Sequence, residues 1–192
     1  MKTYNTGFVV GKFCPLTKGH EYLIKTAMAR CNRAVVLSYT SKTFPKCTDE
    51  NRRKWTESLN ENNQLRVVVL DASNVPDDDA DDETHREFCA NYLLNKLDTT
   101  VQAVFSSETY GIGLAEHLSD FFTESLGAPV TVDHVMVDLE RKHYPISGTE
   151  MRAALATGYC PDMMKYLSPV VFASFVYKIL FLGGESTGKS TL

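Results

Sequence analysis

"GFVVGKFCPLTKGH" (Gly7–His20) decides how this chain folds. Its apolar start predicts a strand buried on both faces. The strand then meets Gly11, Pro15 and Gly19, and a helical pattern begins. Gly11 lets the backbone turn and approach a ligand closely, Pro15 stiffens the loop, and Gly19 keeps the first helical turn clear of a side chain. A helix N-terminus offers unpaired N–H donors and a partial positive charge, so this junction attracts phosphate. His20 falls in that first turn, where a ring N–H can donate to a phosphoryl oxygen as its charge grows. The alternative is a plain strand–helix turn with an incidental histidine. Gly11, Phe13, Pro15, Thr17 and Gly19 together weigh against it.

The same alternation runs outward along the chain. Strands are predicted at 6–13, 33–39, 65–71, 100–106 and 129–137, with helices at 19–31, 49–61, 83–97, 110–126 and 148–157. Strands alternating with helices of this length imply βαβ units and right-handed crossovers. The expected fold is α/β, a Rossmann-like, doubly wound, mainly parallel sheet with its ligand crevice at the carboxyl ends of the strands. This domain is assigned to 1–160, and 161–176, broken by Pro161 and Pro169, to a helical connector. The acidic stretch 75–83, with Asp77–Asp82 at its centre, is expected to be a solvated loop and a poor site for a metal ion.

Composition bounds the function. The 192 residues are 43% hydrophobic and 23% charged, enough for a packed core without staples. A net charge of -4 argues against nucleic acid as a partner. Five scattered cysteines, with no CxxC pair, suit a reducing compartment better than a disulfide framework or a zinc site. No segment has the length of a membrane span, and the N-terminus lacks the apolar core of a signal peptide. A cytoplasmic location is expected. The residues carry no signal of oligomeric state.

A second phosphate junction lies at "ISGTEMR" (Ile146–Arg152). Ser147 followed by Glu150 is a capping box and predicts a helix start. Thr149 and Arg152 fall in the first turn and a half, where an arginine fork grips phosphate oxygens as lysine cannot. These two stretches resemble the nucleotidylyltransferase superfamily, whose signatures are (H/T)xGH and ISxTxxR. The resemblance implies that His20 and Thr17 are catalytic and that Gly11, Phe13, Gly19, Ile146, Ser147, Thr149 and Arg152 bind ATP. It differs from the nearest NAD-synthesis members in having threonine, which cannot carry charge, at position 17.

The acceptor is suggested by finer likeness. "DLERKHYPISGTEMR" (138–152) and "NRRKWTESL" (51–59) resemble nicotinamide mononucleotide adenylyltransferases of the NadR type. That implies Arg52 on phosphate and Trp55 at the nicotinamide, with Trp55 as plain core the equal alternative. Ser107 and Tyr110, after the fourth strand, are either nucleotide contacts or a loop cap. Near the end, "GGESTGKS" fits the Walker A pattern, with Gly183, Gly188, Lys189 and Ser190 at its defined positions. NadR-type proteins continue there into a ribosylnicotinamide kinase, so 177–192 is read as the start of a truncated kinase domain.

The expected reaction joins ATP and nicotinamide mononucleotide to give NAD and pyrophosphate. Mg2+ is expected to be held mainly by the ATP phosphates. The rivals are adenylyl or cytidylyl transfer to another phosphorylated acceptor such as phosphopantetheine, and a non-catalytic NAD/ATP sensor. A DNA-binding regulator is disfavoured by the acidic charge and the five residues before the first strand. A free-standing P-loop NTPase is disfavoured by how little follows the loop.

Overall fold

Five parallel strands stand in the order β3-β2-β1-β4-β5. The computed structural model describes residues 2–158 and 161–176. β1 (Tyr4–Gly11) is central, between β2 (Cys31–Ser38) and β4 (Ala103–Ser106). β3 (Leu65–Val69) and β5 (Asp133–Met136) complete the two sides. The doubly wound sheet expected from the apolar runs is therefore present. The runs at 100–106 and 129–137 overshoot their strands, because Val101 and Val132 are buried without joining the ladder. Apolar run length measures burial, not pairing.

Side chains alternate across the sheet, so neighbouring residues of β1 serve opposite cores. Val9 packs with Ile24, Val36, Trp55 and Met151; Phe8 packs with Val35, Leu37, Leu118 and Phe122. Each such burial contributes about 1.5–3 kcal/mol. The helices are α1 (Lys18–Arg30), α2 (Asp49–Glu57), α3 (Asp82–Asn91), α4 (Tyr110–Leu126) and α5 (Gly148–Ala156). Thr17, Thr48, Asp81 and Ser147 cap four of them, their side-chain oxygens accepting backbone N–H bonds. Such caps contribute about 1 kcal/mol each.

Two helices are shorter than predicted. α2 stops at Glu57, after which Asn60 bonds both backbone groups of Leu65, at 2.9 and 3.0 Å, and turns the chain. α3 passes at Tyr92 into a π-turn, Tyr92–Lys96. α4 begins hard against the sheet: a Cβ on Gly111 would collide with Ser106 Oγ and come within 2.5 Å of His134 Nε2.

Pro161 and Pro169 start helices rather than merely break them, giving α6 (Pro161–Met164) and α7 (Pro169–Phe172). This segment packs back on the domain. Leu167 and Val171 are buried, and Lys18 N–H donates to the Tyr166 carbonyl at 2.8 Å. Residues 177–192, including Gly183, Gly188, Lys189 and Ser190, lie outside the described residues. Among those described, no helix is long and apolar enough to cross a membrane. Cys14, Cys31, Cys47 and Cys89 are buried free thiols.

The acidic loop corrects one expectation. It is not wholly solvated, because the Asp78 side chain is only 1% exposed and pairs with Lys12 at 2.7 Å. Asp81 caps α3, so this acid too has a local structural partner.

Candidate active site

Where the order of strands reverses, between β1 and β4, a cavity of about 600 Å³ opens at their carboxyl ends. Gly11, Phe13 and His20 line it from the first junction, Ser147, Gly148, Thr149 and Arg152 from the second. Their closeness is measurable at Gly148. A Cβ there would lie 3.2 Å from Arg152 Nη1 and 3.5 Å from His20 Cε1. Two segments separated by more than half the chain thus meet at one point, each at a helix N-terminus.

His20 is the third residue of α1 and closes a capping box with Thr17. Thr17 N–H donates to His20 Nδ1 at 3.1 Å, so the neutral ring carries its proton on Nε2. The ring rests edge-on against Phe13, centroids 5.3 Å apart. Burial, then the charges of Arg152 and Arg141, push the His20 pKa down from 6.5 to about 4, against a smaller upward pull from the Pro15 backbone. The imidazole is therefore a neutral donor at pH 7.

This shift has a sign that can be checked. Between 6.5 and about 4 the unfolded chain takes up a proton that the folded chain refuses. The contribution of His20 to stability is complete above 6.5 and is lost as pH falls through about 4. Urea unfolding from pH 7.5 downward is expected to show wild type losing more stability than His20→Ala across that window.

Thr17 has a structural part to play at the start of α1. Its side chain caps α1, accepting from His20 N–H at 3.4 Å, and the residue is 1% exposed. Its backbone N–H and hydroxyl both meet His20 Nδ1 at 3.1 Å, and it lines a small recess beside the cavity. Ile146 is likewise buried in the core, anchoring the loop that leads into α5. Gly19 borders a small recess beside the cavity, together with His20, Ser147 and Gly148.

Arg152 donates to the Cys14 carbonyl at 3.2 Å and to Thr149 Oγ1 at 2.9 Å, with its guanidinium 5.0 Å from the centre of the Phe44 ring. Ser147 Oγ accepts Glu150 N–H at 3.0 Å while Glu150 accepts Ser147 N–H at 2.7 Å, completing the predicted box. Ser107 and Tyr110 line the cavity from the β4 side, and the Tyr110 hydroxyl donates to the Val10 carbonyl at 3.1 Å.

Arg52 and Trp55 are not brought to this cavity. The Arg52 guanidinium donates to Ser38 Oγ at 2.9 Å, Asp49 at 2.6 Å and the Leu70 carbonyl at 2.8 Å, beneath a surface that leaves 1% exposed. A phosphate has no approach to it, which corrects the expected contact. Trp55 is fully buried, stacked 5.9 Å from Phe175 and donating to Ser174 Oγ at 3.0 Å. Arg52→Ala is expected to destabilise the chain by about 2–3 kcal/mol, because buried acceptors lose their donor. Chemical denaturation measures that loss, and the KM for each substrate should stay unchanged.

Lys12, Tyr39, Asp82, His85 and Arg141 also line the cavity and were not singled out from sequence. Arg141 lay inside the stretch 138–152, yet its use depends on a loop that turns it toward Glu108, 3.1 Å away. Tyr39 and His85 stack at 5.8 Å and share a 2.9 Å hydrogen bond, a pairing between distant elements with no local signal.

No family model matches the chain. It is 24% identical over 200 residues to the trifunctional NAD biosynthesis/regulator protein NadR of Salmonella typhimurium, covering 98% of this chain and 45% of that protein. The chain thus spans less than half the length of this curated relative. The solved NadR protein in complex with NAD and AMP-PNP superposes with a TM-score of 0.62 at 19% identity, covering 100% of this chain and 52% of that one. The chain is NadR-like in sequence and shares the Rossmann-like α/β fold of these proteins. A bifunctional NMN adenylyltransferase/ADP ribose pyrophosphatase from Francisella tularensis, complexed with AMP and a manganese ion, shares the fold with a TM-score of 0.56 at 18% identity, over 85% of this chain and 44% of that one. A putative nicotinate-nucleotide adenylyltransferase from Vibrio parahaemolyticus gives 0.51 at 14%, over 90% and 97%. In this NadR-like fold the crevice at the strand-order reversal is the cavity that holds His20 and Arg152.

Proposed function

We propose that the chain is a nicotinamide-nucleotide adenylyltransferase, which joins ATP to nicotinamide mononucleotide and releases pyrophosphate. The observation that carries this reading is the meeting of His20, Gly148 and Arg152 at two helix N-termini in one cavity. Helix N-termini, a neutral imidazole and a forked cation together suit a polyphosphate. The NadR-like sequence and fold favour the nicotinamide nucleotide over other acceptors.

The attacking oxygen belongs to the acceptor's phosphate and is already anionic at pH 7, so no side chain has to remove a proton. The protein's work is to hold two mutually repelling anions in line and to stabilise the charge that moves onto the leaving pyrophosphate. His20 donates from Nε2 to an oxygen of the α-phosphate, held in that tautomer by Thr17. Arg152 and the α5 N-terminus take the leaving end, with Ser147 and Thr149 beside them. Lys12 and Arg141 add positive charge on the same wall, and Ser107 and Tyr110 border the nucleotide from the β4 side. Tyr39 and His85 offer the acceptor an aromatic surface in place of the buried Trp55.

ATP enters this scheme as its magnesium complex. The donor set suits an ion carried on phosphates and water, since Glu108, a carboxylate of the cavity, is already engaged by Arg141. An ion so carried would supply charge screening between the phosphates, while His20, Lys12 and Arg152 hold their oxygens from the protein side. To test the assignment, purified protein is offered ATP or CTP with nicotinamide mononucleotide, nicotinate mononucleotide or phosphopantetheine. Pyrophosphate release with ATP and nicotinamide mononucleotide, accompanied by NAD, is expected. A different preferred pair would replace the substrate assignment, and nucleotide binding without turnover with any pair would replace the enzyme by a sensor.

A further inference from the structure

Asp78 stands apart from the other acids of its run. Its carboxylate accepts from Lys12 Nζ at 2.7 Å, Thr40 Oγ1 at 2.9 Å and Ser41 N–H at 2.8 Å. Ser41 Oγ in turn accepts Asp78 N–H at 2.8 Å. One buried carboxylate therefore ties together the loops that follow β1, β2 and β3, at the edge where the cavity opens. Four residues further on, α3 presents Asp82 and His85 to that cavity.

Lys12 differs from its partner in exposure. Its side chain is 38% exposed against 1% for Asp78, and it lines the cavity with His20. An ammonium has three N–H donors, and the pair with Asp78 leaves others to spare. An unanchored lysine on a four-carbon stem samples many rotamers, so a fixed carboxylate behind it removes most of that freedom before a ligand arrives. Arg152 is anchored differently, through a carbonyl, a hydroxyl and an aromatic face.

We propose that Asp78 is a positioning residue: it holds the Lys12 ammonium at the cavity wall so that the remaining donors meet a phosphate bound beside His20. This rests on the adenylyl-transfer reading for its role in catalysis, but the phosphate contact can be tested without turnover. The experiment is a double-mutant cycle with Asp78→Asn, Lys12→Met and the double variant, in the full chain. Calorimetry measures inorganic tripolyphosphate binding, and steady-state kinetics give kcat and KM.

Asp78→Asn is expected to weaken tripolyphosphate binding about fivefold to tenfold, and the double variant to bind no worse than Lys12→Met. Thr40→Val removes another Asp78 contact without touching Lys12. It should lower the melting temperature while leaving tripolyphosphate affinity unchanged. Additive losses in the cycle, wild-type affinity in Asp78→Asn, or an equal loss in Thr40→Val would each overturn the proposal. So would failure of the wild-type chain to bind tripolyphosphate. A non-additive cycle in a protein that makes no NAD leaves the lysine clasp standing and removes the reaction assignment; NAD synthesis with an additive cycle does the reverse.

Discussion

Replacing His20 with alanine is expected to lower the rate of NAD formation by about 100- to 1,000-fold, the scale on which one preorganised donor to a developing anion acts. The neutral ring explains why the loss is so large. Its pKa of about 4 leaves it uncharged at the working pH, so the contribution is a directed Nε2–H bond rather than a diffuse field. Alanine cannot supply that bond, and water reaching the same place is not oriented by Thr17. A modest loss of stability, about 1 kcal/mol, accompanies the change because Nδ1 also accepts the Thr17 N–H. A pyrophosphate-release assay on protein shown to be folded at the assay temperature separates the two effects. Near-normal turnover would remove His20 from the reaction.

Truncating Arg152 to alanine is expected to cost about 1,000-fold in kcat/KM, through loss of a forked, charge-assisted contact with the triphosphate. The side chain is already aimed before any ligand is present, by the Cys14 carbonyl, Thr149 and the Phe44 face. Lysine restores the charge but not the planar fork, so Arg152→Lys should recover part of the loss and leave the KM for ATP about tenfold raised. Unchanged saturation by ATP in the lysine variant would mean that the guanidinium serves the loop rather than the nucleotide.

Much of the architecture was legible in the chain because parallel strands buried on both faces must be apolar throughout, as Phe8–Val10 and Ala34–Leu37 are. The second junction was legible for a related reason: a helix start needs a cap, and Ser147 with Glu150 is visible as one, whereas Thr17 read as a motif residue and only the fold shows it capping α1. What failed was long range. Arg52 sits on a helix in a polar stretch, and nothing nearby reveals that Ser38 and the Leu70 carbonyl close over it. Asp78 looks like its acidic neighbours until folding brings Lys12, Thr40 and Ser41 around it. Arg141 and His85 lacked any local mark because their partners, Glu108 and Tyr39, come from other crossovers.

The central place of β1 also makes the cavity depend on both ends of the sequence. His20 follows the first strand, whereas Arg152 belongs to a helix beyond the fifth. The wall that carries both side chains is therefore complete only when α1 and α5 are both docked on the sheet.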